Sequence, residues 1–425
     1  MKYAMVRRLE VQRQLADGQR VPVGTLAQNQ QGVFFQYAES YLQQFPSLSP
    51  FNLRFTNALQ LAPASPHAGL HGVFADSLPD GWGLLLMDRV FRQAGMLPSQ
   101  ISPMDRLAFV GARGSGALCY EPASTLQPAA SAALQQLAEL GESAQQLYEG
   151  ETTDVLSALA TAGNSAGARP KAQLFLSDSK DNVCSTVAVN GMSPWLVKFT
   201  SRSLPLQHEE GLCEAAYLTL AKRAGIAVPE WKLLGVQGKP LYRWLALRRF
   251  DYTSQGGRLH LHSACGLLDA DFRLPALDYE MLIKASGALC KSPAAAQQQF
   301  RRAVFNLFGC NQDDHSKNWA FLQGDTGEWQ LAPFFDVTFS PSAHGEHATA
   351  FAGYGKAPPL KALQQLAESA SYANWKQAKL AVEEAVNALA AWPQVATESG
   401  VSNDTVKLVQ QQLNAAYAQN KRLLD

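Results

Sequence analysis

The chain has 425 residues, 47% of them hydrophobic and 17% charged, and it carries 36 Lys and Arg residues against 36 Asp and Glu residues. This length and composition are typical of a globular protein with a large core that divides into two or three packed units. The balanced charge excludes a global positive field that would hold nucleic acid or an anionic membrane, although a local basic groove is compatible with it.

The cysteines and the apolar segments indicate the compartment. The six cysteines are scattered and form no C-x-x-C pair, which favours reduced thiols in a cytosolic protein over a disulfide framework. Polar residues soon follow Met1–Arg8, so no signal peptide is predicted, and no apolar run approaches the length of a membrane span. We therefore expect a cytoplasmic protein without a membrane partner.

Residues 1–125 predict a first α/β unit. Val21–Leu26 and Gly32–Tyr37 are predicted strands, separated by polar turn residues. The glycine-rich residues 107–118 do not have the spacing of a P-loop, and a tight hairpin or a helix end explains them equally well. Residues 126–150 are rich in Ala, Gln and Leu at helical spacing, which predicts a helical linker.

One polar turn stands out in this first unit. Asp76 or Ser77 can cap a helix, and Pro79–Gly81 is a turn that starts a helix running from about Trp82 to Gly95. On residue chemistry alone, a helix entry explains this segment without a functional role.

Residues 151–252 carry a pattern that suits nucleotide binding. Small residues run from Ala162 to Lys171, ahead of a predicted strand at Ala172–Leu176. Small residues let backbone N–H groups approach phosphates closely, and Arg169 or Lys171 would add positive charge. A plain loop is an equal alternative at this point.

A lysine inside an apolar strand supports the nucleotide-binding interpretation of this small-residue pattern. Lys198 lies in Pro194–Phe199, where it either extends from the sheet edge to solvent or faces an anion. In a kinase, such a lysine holds the α- and β-phosphates and pairs with a glutamate of the next helix. The next predicted helix, Glu209–Ala224, offers Glu214 on its inward face.

The chain then enters a predicted hinge and a mainly helical second lobe. Arg248–Asp251 follows a strand pair, where a kinase places the hinge whose backbone meets adenine. His260 and His262 alternate with leucines and have no other nearby ligands, which indicates a structural strand or pocket wall and not a zinc site. His344–His347 is likewise expected to be a surface loop.

The segment Asn311–Asn318 is a dense block of polar and charged residues between two apolar runs. A purely structural loop would carry Gly, Pro or Ser for its turn geometry. Asp313 and Asn318 instead stand in the relation D-x-x-x-x-N, which is the spacing of a kinase catalytic loop. There the Asp accepts the proton of the attacking hydroxyl and the Asn holds magnesium.

A second acidic landmark follows a predicted β-hairpin. The hairpin runs from Trp319 to Ala332 around Gly324–Gly327, and Asp336 then stands alone in an apolar run. Phosphoryl transfer needs a second metal-binding Asp at such a place. The purely structural alternative is a polar loop followed by an Asp that caps a helix at Thr338.

These residues together indicate a family. The chain resembles the HipA-type serine/threonine kinases, the toxins of bacterial type II toxin–antitoxin pairs, over nearly its whole length. The matching segments are Phe74–Gly83, Gly111–Leu118, Ala166–Ala172, Trp195–Lys198, Arg249–Asp251, Asp313–Asn318 and Ala332–Asp336. The resemblance implies an α+β, protein-kinase-like two-lobe fold. It places an N-terminal α/β subdomain at 1–125, a helical linker at 126–150, an N-lobe at 151–252 and a helical C-lobe at 253–425.

The resemblance also implies a role for each matched residue. Asp313 is expected to orient or deprotonate the substrate hydroxyl, with Lys198 and His315 as further catalytic residues. Asn318 and Asp336 are the expected Mg²⁺ ligands. The expected ATP contacts are Asn164, Ser165, Ala166, Gly167, Ala168, Lys171, Lys198, Arg249, Phe250 and Lys317.

The chain departs from the family pattern in two places. Kinases of this family can autophosphorylate a serine in the nucleotide-binding loop. Counted back from Gly167, the place of that serine falls on Asn164, so Ser165 beside it is the candidate. The usual acidic hinge residue is replaced by Arg248, but the hinge contacts ATP mainly through its backbone.

The resemblance further implies partners. Toxic family members phosphorylate aminoacyl-tRNA synthetases and are held by a small helix-turn-helix antitoxin that binds the operator. We therefore expect a protein substrate, a HipB-like antitoxin and contact with DNA only through that antitoxin. Two alternatives are a small-molecule phosphotransferase on the same scaffold and a non-catalytic co-repressor, and the intact Asp313, Asn318, Asp336 and Lys198 disfavour the co-repressor.

Overall fold

The structure is a computed structural model that describes residues 4–129, 132–152, 157–163, 167–236 and 239–425. In this part of the chain, no helix is both long enough and apolar enough to cross a membrane.

The N-terminal part is an antiparallel sheet covered by short helices. The sheet has the strand order β4-β3-β2-β1-β5, and apolar residues of its strands and of the helices form a common core. The elements are β1 (Arg8–Gln14), β2 (Arg20–Asn29), β3 (Gly32–Tyr37), α1 (Glu39–Gln44), β4 (Gln60–Leu61), α2 (Gly72–Ala75), α3 (Gly81–Gln93), α4 (Pro103–Val110) and β5 (Leu118–Glu121).

The next part is a second antiparallel sheet with the order β10-β11-β9-β7-β8-β6. Lys171 at the start of β7 lies opposite Lys198 at the end of β9, so both side chains project from the same face of the sheet. The elements are β6 (Gln135–Gln136), α5 (Leu137–Tyr148), α6 (Ser157–Ala162), β7 (Lys171–Ser177), β8 (Val183–Ser185), β9 (Met192–Lys198), α7 (Glu210–Arg223), β10 (Trp231–Val236) and β11 (Lys239–Arg248).

The C-terminal part is mainly helical, with a small sheet in the order β12-β14-β15 and a short parallel pair, β13 with β16. Its elements are β12 (His260–Ser263), α8 (Ala264–Leu268), β13 (Leu277–Asp278), α9 (Tyr279–Cys290), α10 (Pro293–Gly309), β14 (Ala320–Gln323), β15 (Trp329–Leu331), β16 (Thr349–Ala350), α11 (Leu360–Ser369), α12 (Trp375–Ala390), α13 (Trp392–Glu398) and α14 (Asn403–Asn420).

The core of the second sheet is built from three parts of the chain. Trp82 and Leu86 of α3 and four residues of α5 pack with the buried side chains of β7, β9 and β11. Gly141 of α5 lies where any side chain would overlap the Trp244 ring of β11. The segment that was expected to be a linker therefore packs as a layer of the N-lobe.

The helix α7 connects this sheet to the C-terminal helices. Most of its residues are buried, and it packs against β11 on one side and against α12 and α13 on the other. Gly225 follows its end with φ +71°, a left-handed conformation that glycine adopts readily. Glu214 is thereby fixed inside the protein, between the two lobes.

The local predictions for strands and helices are largely confirmed. The strands expected at Val21–Leu26, Gly32–Tyr37 and Pro194–Phe199 are present, as are the helix after Pro79–Gly81 and the hairpin after Asn318. The glycine-rich turn follows a helix end, because Gly111 caps α4 with φ +54°. The alternative of a helix at Thr338 is wrong, since the described residues 332–348 contain no helix.

Candidate active site

A cleft with a volume of about 480 Å³ lies between the second sheet, the segment Asn311–Asn318 and the start of α3. Every predicted site residue that the structure describes lines it, namely Gly167, Ala168, Lys171, Lys198, Arg249, Phe250, Asp313, His315, Lys317, Asn318 and Asp336. The predicted contacts at Asn164, Ser165 and Ala166 lie outside the described residues.

Lys198 lies at the centre of the charged part of the cleft. Its ammonium donates to Glu214 Oε1 at 2.6 Å and also contacts Asp336 Oδ1. The partner that helical spacing selected among the three glutamates of the helix, Glu214, is therefore the one that pairs with the strand lysine. One cation thus links the sheet, the helix α7 and the segment after the hairpin.

The charges of this cluster stabilise each other. Burial alone would lower the pKa of Lys198, but the carboxylates of Asp336 and Glu214 raise it above its ordinary value. Burial would raise the pKa of Asp336, but Lys198 and Lys171 hold it well below its ordinary value. At neutral pH, Lys198 is therefore an ammonium and Asp336 is a carboxylate.

Asp313 lies at the open side of the cleft. Its side chain is 70% exposed, and His315 Nε2 is 3.8 Å from its Oδ1. The Asn318 amide donates through Nδ2 to the backbone carbonyl of Asp313 at 2.8 Å. This bond fixes the loop between Asp313 and Asn318. The amide oxygen of Asn318 is then the side-chain atom that can coordinate a metal ion.

The oxygen donors suit a magnesium ion. Mg²⁺ is usually held by one or two protein carboxylates, with waters and substrate phosphates completing the octahedron. Asp336 and the amide oxygen of Asn318 provide such a partial set, and no group of three or more His, Cys, Asp or Glu residues that could enclose a metal occurs among the residues described. Asp336 has φ +51°, a left-handed conformation that is uncommon outside glycine and that occurs preferentially at functional sites.

The neighbouring acid, Asp314, has a different environment. It is buried, and its Oδ2 accepts from Tyr279 Oη at 2.5 Å and pairs with His347 Nδ1 at 2.8 Å, while its Oδ1 accepts from the Thr349 N–H at 3.1 Å. The expectation that His344–His347 is a surface loop is wrong for His347, because this side chain is buried against Asp314. The buried Asp314–His347 pair anchors the segment Asn311–Asn318 in the protein interior, while Asp313 faces the cleft.

The histidines of β12 are confirmed as structural. His260 Nε2 lies 2.9 Å from the Leu48 carbonyl, and His262 Nδ1 lies 2.6 Å from Asp76 Oδ2. Asp76 also accepts from the Ser263 N–H at 2.7 Å. The expectation that Asp76 can cap a helix therefore misses its main contacts, which join α2 to β12.

The residues predicted to form a hinge, Arg248–Asp251, line the cleft. The Arg249 guanidinium binds both carboxylate oxygens of Asp251, at 3.0 and 2.6 Å, and donates to Gln173 Oε1 at 2.7 Å. Gln173 in turn donates to Ser115 Oγ at 3.0 Å, which brings the N-terminal domain into the cleft wall. The Arg249 side chain is thus engaged by protein groups, and its backbone N–H donates to the Pro194 carbonyl at 3.1 Å.

Sequence reasoning did not predict Asp80 as a residue of the cleft. Its Oδ2 accepts from Lys317 Nζ at 2.6 Å, and its Oδ1 accepts from the Gly167 N–H. Burial would raise the pKa of Asp80, but Lys317, the Gly167 N–H and Lys171 outweigh burial and lower it. The residue was interpreted as part of a helix entry, yet its side chain makes no hydrogen bond to cap its own helix. The signal available was its place in a segment shared with the HipA-type kinases.

The fold and the cleft define the class of protein: a two-lobed, protein-kinase-like α+β fold with an additional N-terminal domain and a helical C-lobe. Two family models match the chain, the HipA N-terminal domain over residues 17–121 and the HipA-like C-terminal domain over residues 163–393. The chain belongs to the HipA family.

A solved structure has the same fold. The HipA of the Shewanella oneidensis MR-1 toxin–antitoxin system, determined as a complex with HipB and its operator DNA, aligns over 98% of this chain and 97% of its own at 19% identity, with a TM-score of 0.68. The Helicobacter pylori proinflammatory kinase CtkA aligns over 56% of this chain and 91% of its own at 13% identity, and its TM-score of 0.36 is too low to define a common fold.

A curated relative matches part of the sequence. A Haemophilus influenzae protein described as a candidate kinase is 27% identical over 188 residues, which are 41% of this chain and 52% of that protein. The chain thus spans about half the length of this relative.

Proposed function

We propose that this protein is an ATP- and Mg²⁺-dependent serine/threonine protein kinase of the HipA toxin type. The observation that carries the proposal is the pairing of Lys198 with Glu214 and Asp336 in a cleft that Asp313 and Asn318 also line. A strand lysine paired with a helix glutamate and followed by two acids and an amide is the residue set that phosphoryl transfer from ATP requires.

In this mechanism the protein positions the reactants and provides fixed charges. Lys198 binds the α- and β-phosphates and is itself oriented by Glu214. Asp313 accepts a hydrogen bond from the substrate hydroxyl and takes its proton as the phosphoryl group is transferred. Most of the rate enhancement comes from alignment of the hydroxyl with the γ-phosphate and from charge complementarity.

Asn318 and Asp336 would hold the metal ion. Bound there, Mg²⁺ would neutralise negative charge on the phosphates of ATP. Asp336 is ionised, as a magnesium ligand must be, because Lys198 and Lys171 lower its pKa. His315 is 3.8 Å from Asp313 and is placed to influence the orientation and charge of that carboxylate.

The exposure of Asp313 supports a protein as the substrate. A pocket for a small metabolite would enclose the acceptor group, whereas the Asp313 side chain is 70% exposed at the mouth of the cleft. An open acceptor site admits a serine or threonine on a large partner. The resemblance to toxic family members makes an aminoacyl-tRNA synthetase the first substrate to test.

A HipB-like helix-turn-helix antitoxin is the proposed regulatory partner. It is supported by the similarity of this fold to the Shewanella HipA, whose structure was determined with HipB and operator DNA. DNA contact would then occur through the antitoxin, in keeping with the zero net charge of this chain. Ser165 is the proposed site of autophosphorylation, and the cytoplasm is the proposed compartment.

The test is transfer of the γ-phosphate of radiolabelled ATP to proteins of a cell lysate by the wild type and by Asp313→Asn. We expect the variant to bind ATP but to lose about 10²–10⁴-fold in transfer rate, which is the usual contribution of a positioned base. Asp178→Asn, an exposed change of the same kind in a surface turn, is the matched control and should transfer normally.

Two results would contradict the proposal. Transfer by Asp313→Asn at the wild-type rate would remove Asp313 from its role. Label that accumulates only in small molecules would exclude a protein kinase and favour a metabolite phosphotransferase on the same scaffold.

A further inference from the structure

The carboxylate of Asp80 occupies a position between two donors of the cleft. Lys317 Nζ donates to one of its oxygens at 2.6 Å, and the Gly167 N–H donates to the other. Lys317 belongs to the 3₁₀ turn Ser316–Asn318 and Gly167 to the loop before β7, so Asp80 joins two elements that are far apart in the chain. All three residues line the cleft.

These two donors are of the kind that binds phosphate oxygens. A backbone N–H in a glycine-containing loop and a lysine ammonium are the usual ligands of nucleotide phosphates. Lys171 adds a further positive charge that acts on Asp80, and it lies opposite Lys198 across the sheet. The surroundings of Asp80 therefore favour an anion, and in this structure the anion is a side chain of the protein itself.

The N-terminal domain holds Asp80 in this position through two hydrogen bonds of Trp82. The Trp82 N–H donates to the Gly167 carbonyl at 3.0 Å, and its indole Nε1 donates to the Lys171 carbonyl at 2.9 Å. Gly81, the residue between Asp80 and Trp82, has φ +44°, and an added Cβ would lie 2.7 Å from the Cα of Ala168. Because the segment is anchored at the Gly167 and Lys171 carbonyls, the Asp80 carboxylate stays at a high effective concentration near the two donors.

We propose that the Gly167 N–H and the Lys317 ammonium form a phosphate subsite of the nucleotide cleft, and that Asp80 is a built-in competitor which occupies this subsite until a nucleotide phosphate displaces it. The proposal rests on the proposed function, because it assumes that a nucleotide enters this cleft. It goes further in assigning the N-terminal domain a direct effect on nucleotide affinity.

The proposal predicts an effect that depends on the phosphates of the ligand. Removing the carboxylate charge weakens the competition for both donors and removes a repulsion toward the incoming phosphates, so Asp80→Asn should bind the non-hydrolysable ATP analogue AMP-PNP about tenfold more tightly than the wild type. Adenosine has no phosphate, and its affinity should be unchanged. If the contacts of Asp80 with Lys317 and Gly167 were purely structural, the substitution would instead leave AMP-PNP binding equal or weaker.

The experiment is isothermal titration calorimetry of the full-length chain with AMP-PNP in Mg²⁺ and, separately, with adenosine. Asp88→Asn is the matched control. Asp88 lies in α3, the helix that begins directly after Asp80, but does not line the cleft, and its carboxylate pairs with the Arg106 guanidinium at a distance of 2.7 Å. This control variant should bind both ligands as the wild type does. If Asp80→Asn does not fold, as judged by circular dichroism, Asp80→Ser provides the same loss of charge in a smaller side chain.

The outcomes separate this inference from the proposed function. Tighter AMP-PNP binding with unchanged adenosine binding supports the competitor role of Asp80. Equal or weaker AMP-PNP binding by the Asp80 variants, or equal tightening of AMP-PNP and adenosine, overturns it while leaving the kinase proposal in place. No AMP-PNP binding by any of the proteins overturns the proposed function, and this inference with it.

Discussion

At the scale of single residues, two adjacent acids of the segment Asn311–Asn318 illustrate how burial separates roles. Asp313 is exposed to the cleft, whereas Asp314 is buried and accepts from Tyr279 and Thr349 while pairing with His347. A buried carboxylate needs such partners, because an unpaired charge in the interior is very costly. Asp314 therefore positions the loop, and Asp313 remains available for chemistry.

This assignment predicts the effect of His347→Asn. Removal of the imidazole takes away one of the two partners of the buried Asp314 Oδ2 and leaves Tyr279 as the other, so the variant should lose about 1–3 kcal/mol in its free energy of unfolding. His344→Asn is the control, because His344 is exposed in the same loop. Urea unfolding followed by fluorescence measures both, and equal stability of the two variants would show that the His347–Asp314 pair does not anchor the segment.

At the scale of secondary structure elements, the start of α3 is the point where the N-terminal domain contacts the loop before β7. Gly81 has a positive φ, and its Cα lies too close to Ala168 to admit a side chain. Trp82, the next residue, is buried in the core of the second sheet. The start of α3 therefore has two structural roles. It begins its own helix, and it packs against the loop before β7.

Gly81→Ala tests this close approach. Gly95 at the other end of the same helix also has a positive φ, +80°, but has open space around it. Gly95→Ala should therefore lose only the backbone cost of a left-handed alanine, about 1 kcal/mol. Gly81→Ala should lose clearly more and should increase amide hydrogen exchange at Gly167 and Ala168. Equal losses for the two variants would mean that the contact with the loop is unimportant.

At the scale of the whole molecule, the N-terminal domain is bonded to both lobes. Arg13 of β1 is fully buried and donates to the Gly324 carbonyl at 2.9 Å, while the Ala16 N–H donates to Asp325 Oδ2 at 2.9 Å. On the hinge side, the Gly116 N–H donates to Asp251 Oδ2 at 2.8 Å. Contacts of this kind make the domain part of a cooperative structure.

The buried arginine allows a test of that cooperation. Arg13→Met removes the donors to the hairpin turn, and the variant should lose about 1–3 kcal/mol in unfolding free energy. Because the domains support each other, both should still unfold in one urea transition. Arg20→Met, which removes an exposed pair with Glu121, should be as stable as the wild type. A separate early transition of the N-terminal domain in the wild type would contradict this description.

The sequence by itself determined the features that depend on local spacing. The relation between Asp313 and Asn318, the lysine inside the strand that ends at Lys198 and the inward face of Glu214 are set by neighbours a few residues away. Periodicity and turn chemistry report such relations directly. Most of the strands and helices of the cleft, and a first α/β unit over residues 1–125, could be predicted in the same way, and the resemblance to the HipA family added the two-lobe fold.

Only the tertiary structure decided which distant groups meet. Asp80 and Lys317 are 237 positions apart, and nothing in their local patterns distinguishes an ordinary helix entry from a carboxylate that binds the segment Asn311–Asn318. The same holds for His347, whose polar neighbours suggested solvent, and for α5, which covers the sheet instead of spanning two domains. Burial and pairing of such groups are properties of the packed chain, because they depend on which surfaces the fold brings together and not on sequence spacing.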